Sequence, residues 1–438
     1  MEFVDTLVEA GWIIPVEPDE IVLEDHALAI RDGRIVAILP QAEANRRFEA
    51  ESRVALPGHT IIPGLVNAHT HAAMSLFRGL ADDLPLMSWL NDHIWPAEQK
   101  WVSDTFVRDG TRLAVAEMIR SGTTCFNDMY FYPDEAAKVA SEAGMRVVVG
   151  LIVLDFSSVW ASSADEYITK GFEVHDQFRN DPLVTTAFAP HAPYTVSDEP
   201  LERVRTYADE LDIPVHMHVH ETVGEVADSV AKTGERPLAR LQRLGLLSNR
   251  LLAVHLTQLE EGEIEKLAAL GVSAAHCPES NLKLASGFCP VARLDRVGVN
   301  VCIGTDGAAS NNDLGMLAEL RTAALLAKGV SGDASAIPAH SALRMATLNG
   351  AKALGLDAEI GSLEPGKAAD MVAVDLTQLE TQPVHHPVSQ VVYAAGRHQI
   401  SDVWINGHWV LKGRQLVTLD TQQILRESRD WAERLAGA

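Results

Sequence analysis

At 438 residues, 47% hydrophobic, 22% charged and 6% aromatic, the chain has the profile of a globular protein rather than a disordered or fibrous one, with room for a barrel of about 250 residues plus a smaller module. A formal charge of −24 repels phosphate backbones and anionic bilayers, which makes nucleic acid and membranes poor candidate partners and favours a small neutral or cationic substrate. Four cysteines (Cys125, Cys277, Cys289, Cys302) form no CxxC pair, no leader is evident, and no apolar run reaches the ~20 residues of a membrane helix, so a reducing cytoplasmic setting is expected.

From the start to about Leu56, apolar runs such as "LVEAGWIIPV" and "ALAIRDGRIVAIL" alternate with turn residues. They predict a small antiparallel β module with a hairpin turn at Asp32-Gly33. From Ile61 to about Leu356 short apolar strands alternate with amphipathic helices, the rhythm of parallel βα units. Eight strands are predicted: "IIPGLVNAH", "TTCFNDM", "MRVVVGLIV", "LVTTAFAPH", "PVHMHVH", "LLAVHL", "VSAAHCP" and "VNVCIGTD". Helices closing on Gly122, Gly144, Gly271 and Gly298 precede several of them. The expectation is an α/β fold, a (β/α)8 TIM barrel over residues 61–358. After Ala358 short strands return, with Asn406-Gly407 as a second hairpin turn. Residues 1–60 and 359–438 are expected to fold together as one composite β-sandwich beside the barrel.

Side chains two apart on a strand share a face, so His69 and His71 in "NAHTHAAM" can grip one ion. "VHMHVHE" offers His216, His218 and His220 from the fifth strand, "AVHL" offers His255 from the sixth, and "GTDG" offers Asp306 after the eighth. Catalytic groups of such barrels gather at the C-terminal strand ends. Imidazoles with one carboxylate suit a zinc ion that keeps an open position. Parity does not decide which fifth-strand histidine binds: His216 reads as a deeper core histidine and His220 as one lying above the ion. Glu221 has the opposite parity, so it reaches the site only if the chain is already leaving the strand there. His191 and His276 also end strands, where for either alone a structural histidine is the leading reading.

The stretches "PGLVNAHTHAAMSLFRGLADDL", "HVHE", "HCPESNLKLASG", "GTDGAASNND" and "GSLEPGKAADMV" resemble the amidohydrolase superfamily over nearly the whole chain, and within it the branch of purine-nucleoside deaminases and triazine hydrolases. The resemblance implies metal ligands His69, His71, His218 and Asp306, binding Zn²⁺, one per subunit, with Fe²⁺ or Mn²⁺ as substitutes. It further implies Glu221 as proton shuttle, His255 as the contact to the nucleophilic water and Asp306 as its proton acceptor. A small-molecule nucleoside substrate and a homo-oligomer, dimer or tetramer, are implied too. Glu98 and His191 match groups that hold ribose, Ser310 lies in a matching substrate-side stretch, His276 shapes the pocket, and Trp89 walls or stacks on the substrate.

Within the branch the chain most resembles deaminases of 5'-methylthioadenosine and S-adenosylhomocysteine. Members that take the second offer arginines after the third strand, to meet its carboxylate. Here residues 151–168, "LIVLDFSSVWASSADEYI", hold no Lys or Arg, three acids (Asp155, Asp165, Glu166) and apolar Phe156, Val159 and Trp160. The loop is expected to repel a carboxylate and to accept a methylthio group, with Phe156 and Trp160 against the substrate. Guanine, 8-oxoguanine or triazine aminohydrolase is the rival activity, and a non-catalytic scaffold the rival class.

Overall fold

The computed structural model describes residues 1–437. Four strands open the chain: β1 (Glu2–Ile13), β2 (Leu23–Arg31), β3 (Arg34–Pro40) and β4 (Phe48–Pro63). At the Asp32-Gly33 turn between β2 and β3 both residues take positive φ, 51° and 75°, the two-residue turn whose twist matches a hairpin. The module is not wholly antiparallel as expected, since β4 pairs with β1 in parallel. The helix Gln41–Arg47 lies between β3 and β4 and supplies the crossover that a parallel return needs.

Each of the eight predicted barrel strands is present: β5 (Leu65–Thr70), β6 (Thr123–Asp128), β7 (Arg146–Val153), β8 (Val184–Pro190), β9 (Val215–Val219), β10 (Leu251–His255), β11 (Ser273–His276) and β12 (Asn300–Ile303). They pair in sequence order, all parallel, with helices between them. One buried cluster joins Val66, Val148, Ala187, Leu252 and Cys302 from five of these strands to Ala351 and Leu354 of a later helical turn. Between the last strand and the first, the backbone N–H of Asp306 donates to the carbonyl of His69 at 3.0 Å, and Thr305 N–H donates to Asn67 Oδ1 at 3.0 Å. Gly304 is required at this closure, because a Cβ there would stand 2.7 Å from the His69 nitrogen.

The chain then adds β13 (Met371–Asp375), β14 (Ile400–Ile405), β15 (His408–Lys412) and β16 (Gln415–Leu416) to the N-terminal strands. The resulting eight-stranded sheet runs β16-β15-β14-β13-β4-β1-β2-β3, so β13 meeting β4 joins the two chain ends. Asn406-Gly407 is the expected hairpin turn, again with both φ positive. Arg146 at the start of β7 donates Nε and Nη2 to the buried Asp370 carboxylate at 2.7 and 3.2 Å, a bidentate tie from barrel to sheet.

Candidate active site

Most of the histidines singled out in the sequence stand at or just beyond C-terminal strand ends: His69 and His71 around the end of β5, His191 after β8, His218 near the end of β9, His255 closing β10, His276 closing β11; His216 sits deeper, as the second residue of β9. Asp306 follows β12 by three residues and, like His220 and His255, takes positive φ. Left-handed backbone at residues with a Cβ concentrates where a site over-determines it.

His69 and His71 Nε2 lie 3.4 and 3.2 Å from Asp306 Oδ1, and His218 Nε2 lies 3.2 Å from His69 Nε2. Potential ligand atoms of His69, His71 and Asp306 fall within 4.8 Å of one another, as do those of His69, His218 and His255. The other ring nitrogens are spoken for. His71 Nδ1 meets the Met129 carbonyl at 2.6 Å, His218 Nδ1 the His191 carbonyl at 2.8 Å, and His69 Nδ1 the Nε2 of His216 at 2.8 Å. A carbonyl can only accept, so His71 and His218 each carry a proton on Nδ1 and turn Nε2 toward the centre. His216 is therefore an outer partner of His69, the deeper histidine of the sequence expectation.

Asp306 is steadied by Ser280 and Ser310, whose hydroxyls donate to Oδ2 at 2.6 and 2.9 Å, and by Gly307 N–H donating to Oδ1 at 2.7 Å. Burial opposes its ionisation, yet His69 and His71 hold its carboxylate well below the ordinary range. Burial lowers His69 to about 4 and drives His218 well down, so both are neutral. His71 resists burial through Asp306 and rises to about 9. Three neutral or neutralisable imidazoles and one carboxylate within reach of one point are a fitting donor set for a divalent metal with N/O preference.

Above this cluster opens a cavity of about 590 Å³, its floor formed by His71, His218, Glu221, His255 and Asp306. Burial raises the Glu221 carboxyl, whose Oε2 lies 3.9 Å from His255 Nε2. The strand β9 has ended at Val219, so Glu221 reaches the floor because the chain has turned. The same turn swings His220 away, contrary to the expectation that it lies above the ion: its Nε2 faces Leu238 N–H at 3.3 Å. Glu98, in the helix Trp95–Trp101, lines one wall and accepts from the Tyr130 hydroxyl at 2.8 Å. Burial pushes Glu98 up to about 7. His191 lines the wall with Nδ1 3.1 Å from Thr195 Oγ1, and burial with the neighbouring His71 and His69 lowers it to about 3.

Trp89, Phe156 and Ser310 line the cavity, whereas Trp160 and His276 do not. Trp160 turns back onto Tyr167, ring centres 5.7 Å apart, and is nearly fully buried in the apolar core; His276 is a buried residue beside the site that burial lowers to about 3. The three loop acids also face elsewhere. Asp155 caps Ser197, Asp165 pairs with Arg203, and Glu166 holds Ser162. Repulsion by those acids is thus not what the substrate meets; it meets apolar Leu86, Ile94, Trp95, Leu154, Phe156 and Val159, with no Lys or Arg among the lining residues. Asn281, Thr257, Tyr130 and Glu225, which contact site residues, were not singled out by the sequence, although "TVGE" at residues 222–225 carries a helix-capping signature.

The amidohydrolase profile matches residues 60–410, which spans the barrel and every residue placed on the cavity floor. The chain belongs to the amidohydrolase family. Among curated relatives, this amidohydrolase is 51% identical over 432 residues to the 5-methylthioadenosine/S-adenosylhomocysteine deaminase of Teredinibacter turnerae, covering 99% of this chain and 98% of that one. The protein of the same name from Saccharophagus degradans is also 51% identical, over 427 residues, 98% and 96% of the two chains. Among solved structures, the zinc-bound adenosine deaminase of Xanthomonas campestris superposes with TM-score 0.99 at 58% identity over 100% of both chains. Guanine deaminase of E. coli gives TM-score 0.82 at 26% identity, over 93% of this chain and 99% of that one.

Proposed function

We propose that this amidohydrolase is a metal-dependent hydrolytic deaminase of adenine nucleosides that converts 5'-methylthioadenosine and water to 5'-methylthioinosine and ammonia, with adenosine and S-adenosylhomocysteine as poorer substrates. The observation that carries the reading is a single cavity with the ligand cluster and Glu221 on its floor, the Glu98 carboxylate on its wall and no cation in its apolar end. His69, His71, His218 and Asp306 hold the ion, zinc in our assignment, one per chain. When bound, such an ion supplies hydroxide at neutral pH by lowering the pKa of water from about 15.7 to about 7.

The chain's own residues do the rest. Glu221, whose carboxyl is raised by burial, donates to the ring nitrogen beside the amino-bearing carbon, which makes that carbon electrophilic. His255 orients the attacking oxygen, Asp306 takes one proton from it and passes it to the departing amine, which leaves as ammonia, and Glu221 recovers its proton from the remaining hydroxyl as the carbonyl forms. Glu98 accepts from the two ribose hydroxyls and His191 lies beside them. The methylthio group rests on the apolar end near Phe156 and Val159, where the carboxylate of homocysteine finds no cation to offset its desolvation. We assign catalysis to residues 61–358, with 1–60 and 359–438 as the supporting β module, in a cytoplasmic homo-oligomer.

Zinc-loaded protein assayed against 5'-methylthioadenosine, adenosine, S-adenosylhomocysteine and guanine, by the ultraviolet change as amine becomes carbonyl, tests this. We expect 5'-methylthioadenosine fastest and S-adenosylhomocysteine lower in kcat/KM by about tenfold or more. Turnover of guanine alone would remove the ribose roles of Glu98 and His191.

A further inference from the structure

The carboxylate of Glu221 receives no hydrogen bond from any group among the described residues; its neighbour His255 Nε2 is 3.9 Å away. The aim of such a side chain is set by where its backbone is held. That backbone lies at an awkward place. β9 stops at Val219 and His220 adopts φ 55°, a region disfavoured for residues with a Cβ.

Two side chains grip the turn from opposite sides. Glu225 accepts the His220 N–H on Oε1 at 3.1 Å and the Glu221 N–H on Oε2 at 2.6 Å. Thr257 donates its backbone N–H to the His220 carbonyl at 3.0 Å and its hydroxyl to the Glu221 carbonyl at 2.6 Å. All four peptide groups of the two residues are thereby taken.

Glu225 sits at the third position of the helix Val223–Thr233, where a Glu in a capping box reaches back to the N–H of the capping residue. Here the capping residue is Thr222, whose hydroxyl accepts the Glu225 N–H at 3.2 Å. The Glu225 carboxylate passes over the cap and takes the two N–H groups before it. Those groups lie outside the helix, so the helix gains nothing from them. Two separate donors call for two acceptor oxygens; a glutamine offers one oxygen and sets an NH₂ against a donor, and an aspartate is one methylene shorter.

We propose that Glu225 is a positioning residue for proton transfer, fixing the backbone turn that aims Glu221 at the substrate ring. The proposal rests on the reading of Glu221 as the proton-transfer group. It separates catalysis from binding, because His218 is held independently by the β9–β10 ladder and the His191 carbonyl, and Glu98 by another element.

The test compares Glu225→Gln, Glu225→Asp and Ala227→Gly, the last destabilising the same helix at an exposed position without touching either bond. For Glu225→Gln we expect kcat for 5'-methylthioadenosine to fall about tenfold or more, with KM within about threefold and zinc content unchanged, while Ala227→Gly behaves as wild type. Glu225→Asp should show a smaller loss of the same kind, and it decides the matter if Glu225→Gln does not fold. Wild-type kcat in either Glu225 variant overturns the proposal, as does a loss shared by Ala227→Gly or accompanied by loss of zinc. Glu221→Gln separates the two readings: if it keeps kcat, the role of Glu221 falls, whereas if it is inactive and the Glu225 variants are not, only the role of Glu225 falls.

Discussion

The Nδ1 of His255 stands 2.9 Å from the Oδ1 of Asn281, in the short helix Pro278–Lys283 that follows β11. An amide oxygen accepts, so the imidazole carries its proton on Nδ1 and turns a bare Nε2 toward the cavity floor. Replacing Asn281 by Leu should free the ring to take the other tautomer. We expect kcat to fall about tenfold to a hundredfold with KM little changed; steady-state kinetics showing an unaltered kcat would remove the amide from the mechanism.

Metal uptake should carry one proton with it. With no ion bound, His71 holds a second ring proton up to about pH 9, while His69, lowered to about 4, and His218, also lowered by burial, hold none beyond the neutral ring's at neutral pH. Below pH 9 a cation must displace the His71 proton, so affinity weakens as pH falls. Chelator competition between pH 6 and 8 should give a slope of about one decade in Kd per pH unit. A flat profile contradicts the assignment.

Glu98 makes ribose recognition pH-dependent in the physiological range. Its carboxyl rises from the ordinary 4.5 to about 7, so it is an acceptor for two hydroxyls above that pH and loses acceptor capacity below it. KM for 5'-methylthioadenosine should therefore climb as pH drops through about 7, while KM for its 2',3'-dideoxy analogue stays level. Linkage runs the same way: a carboxyl with a raised folded-state pKa costs stability progressively as pH rises from 4.5 to about 7, and the full cost is in place above that. Thermal denaturation at pH 8 should find Glu98→Gln more stable than wild type.

The apolar end of the cavity can be rewritten by one residue. Phe156 lines it yet is 47% exposed, so a long cationic side chain fits there with its head near solvent. Phe156→Arg should raise kcat/KM for S-adenosylhomocysteine by about tenfold and lower it for 5'-methylthioadenosine. If both substrates decline together, Phe156 is packing only.

Much of this was legible in the chain because barrel strands are short apolar runs and each polar residue at a strand end breaks the pattern visibly. His69, His71, His218, His255 and Asp306 stand out for that reason. What escaped was whatever depends on contacts between distant segments: the parallel pairing of β4 with β1, the Asn281 amide under His255, and the Glu225 carboxylate behind Glu221. Periodicity also misplaced side chains where the backbone leaves the strand. His220 shares parity with His218, and one positive φ sends it outward; Trp160 lies in an irregular loop where no period exists to say which way it points.

The hydrogen bond from Asp306 to the His69 carbonyl joins the last barrel strand to the first, and both residues are ligands in our assignment. The active centre is then also the clasp of the ring. Any substitution that loosens the seam, such as Gly304→Ala, weakens catalysis without touching a catalytic atom. Conversely, selection that preserves the chemistry preserves the closed circle, so in this chain the evolutionary demands of turnover and of folding fall on the same few residues.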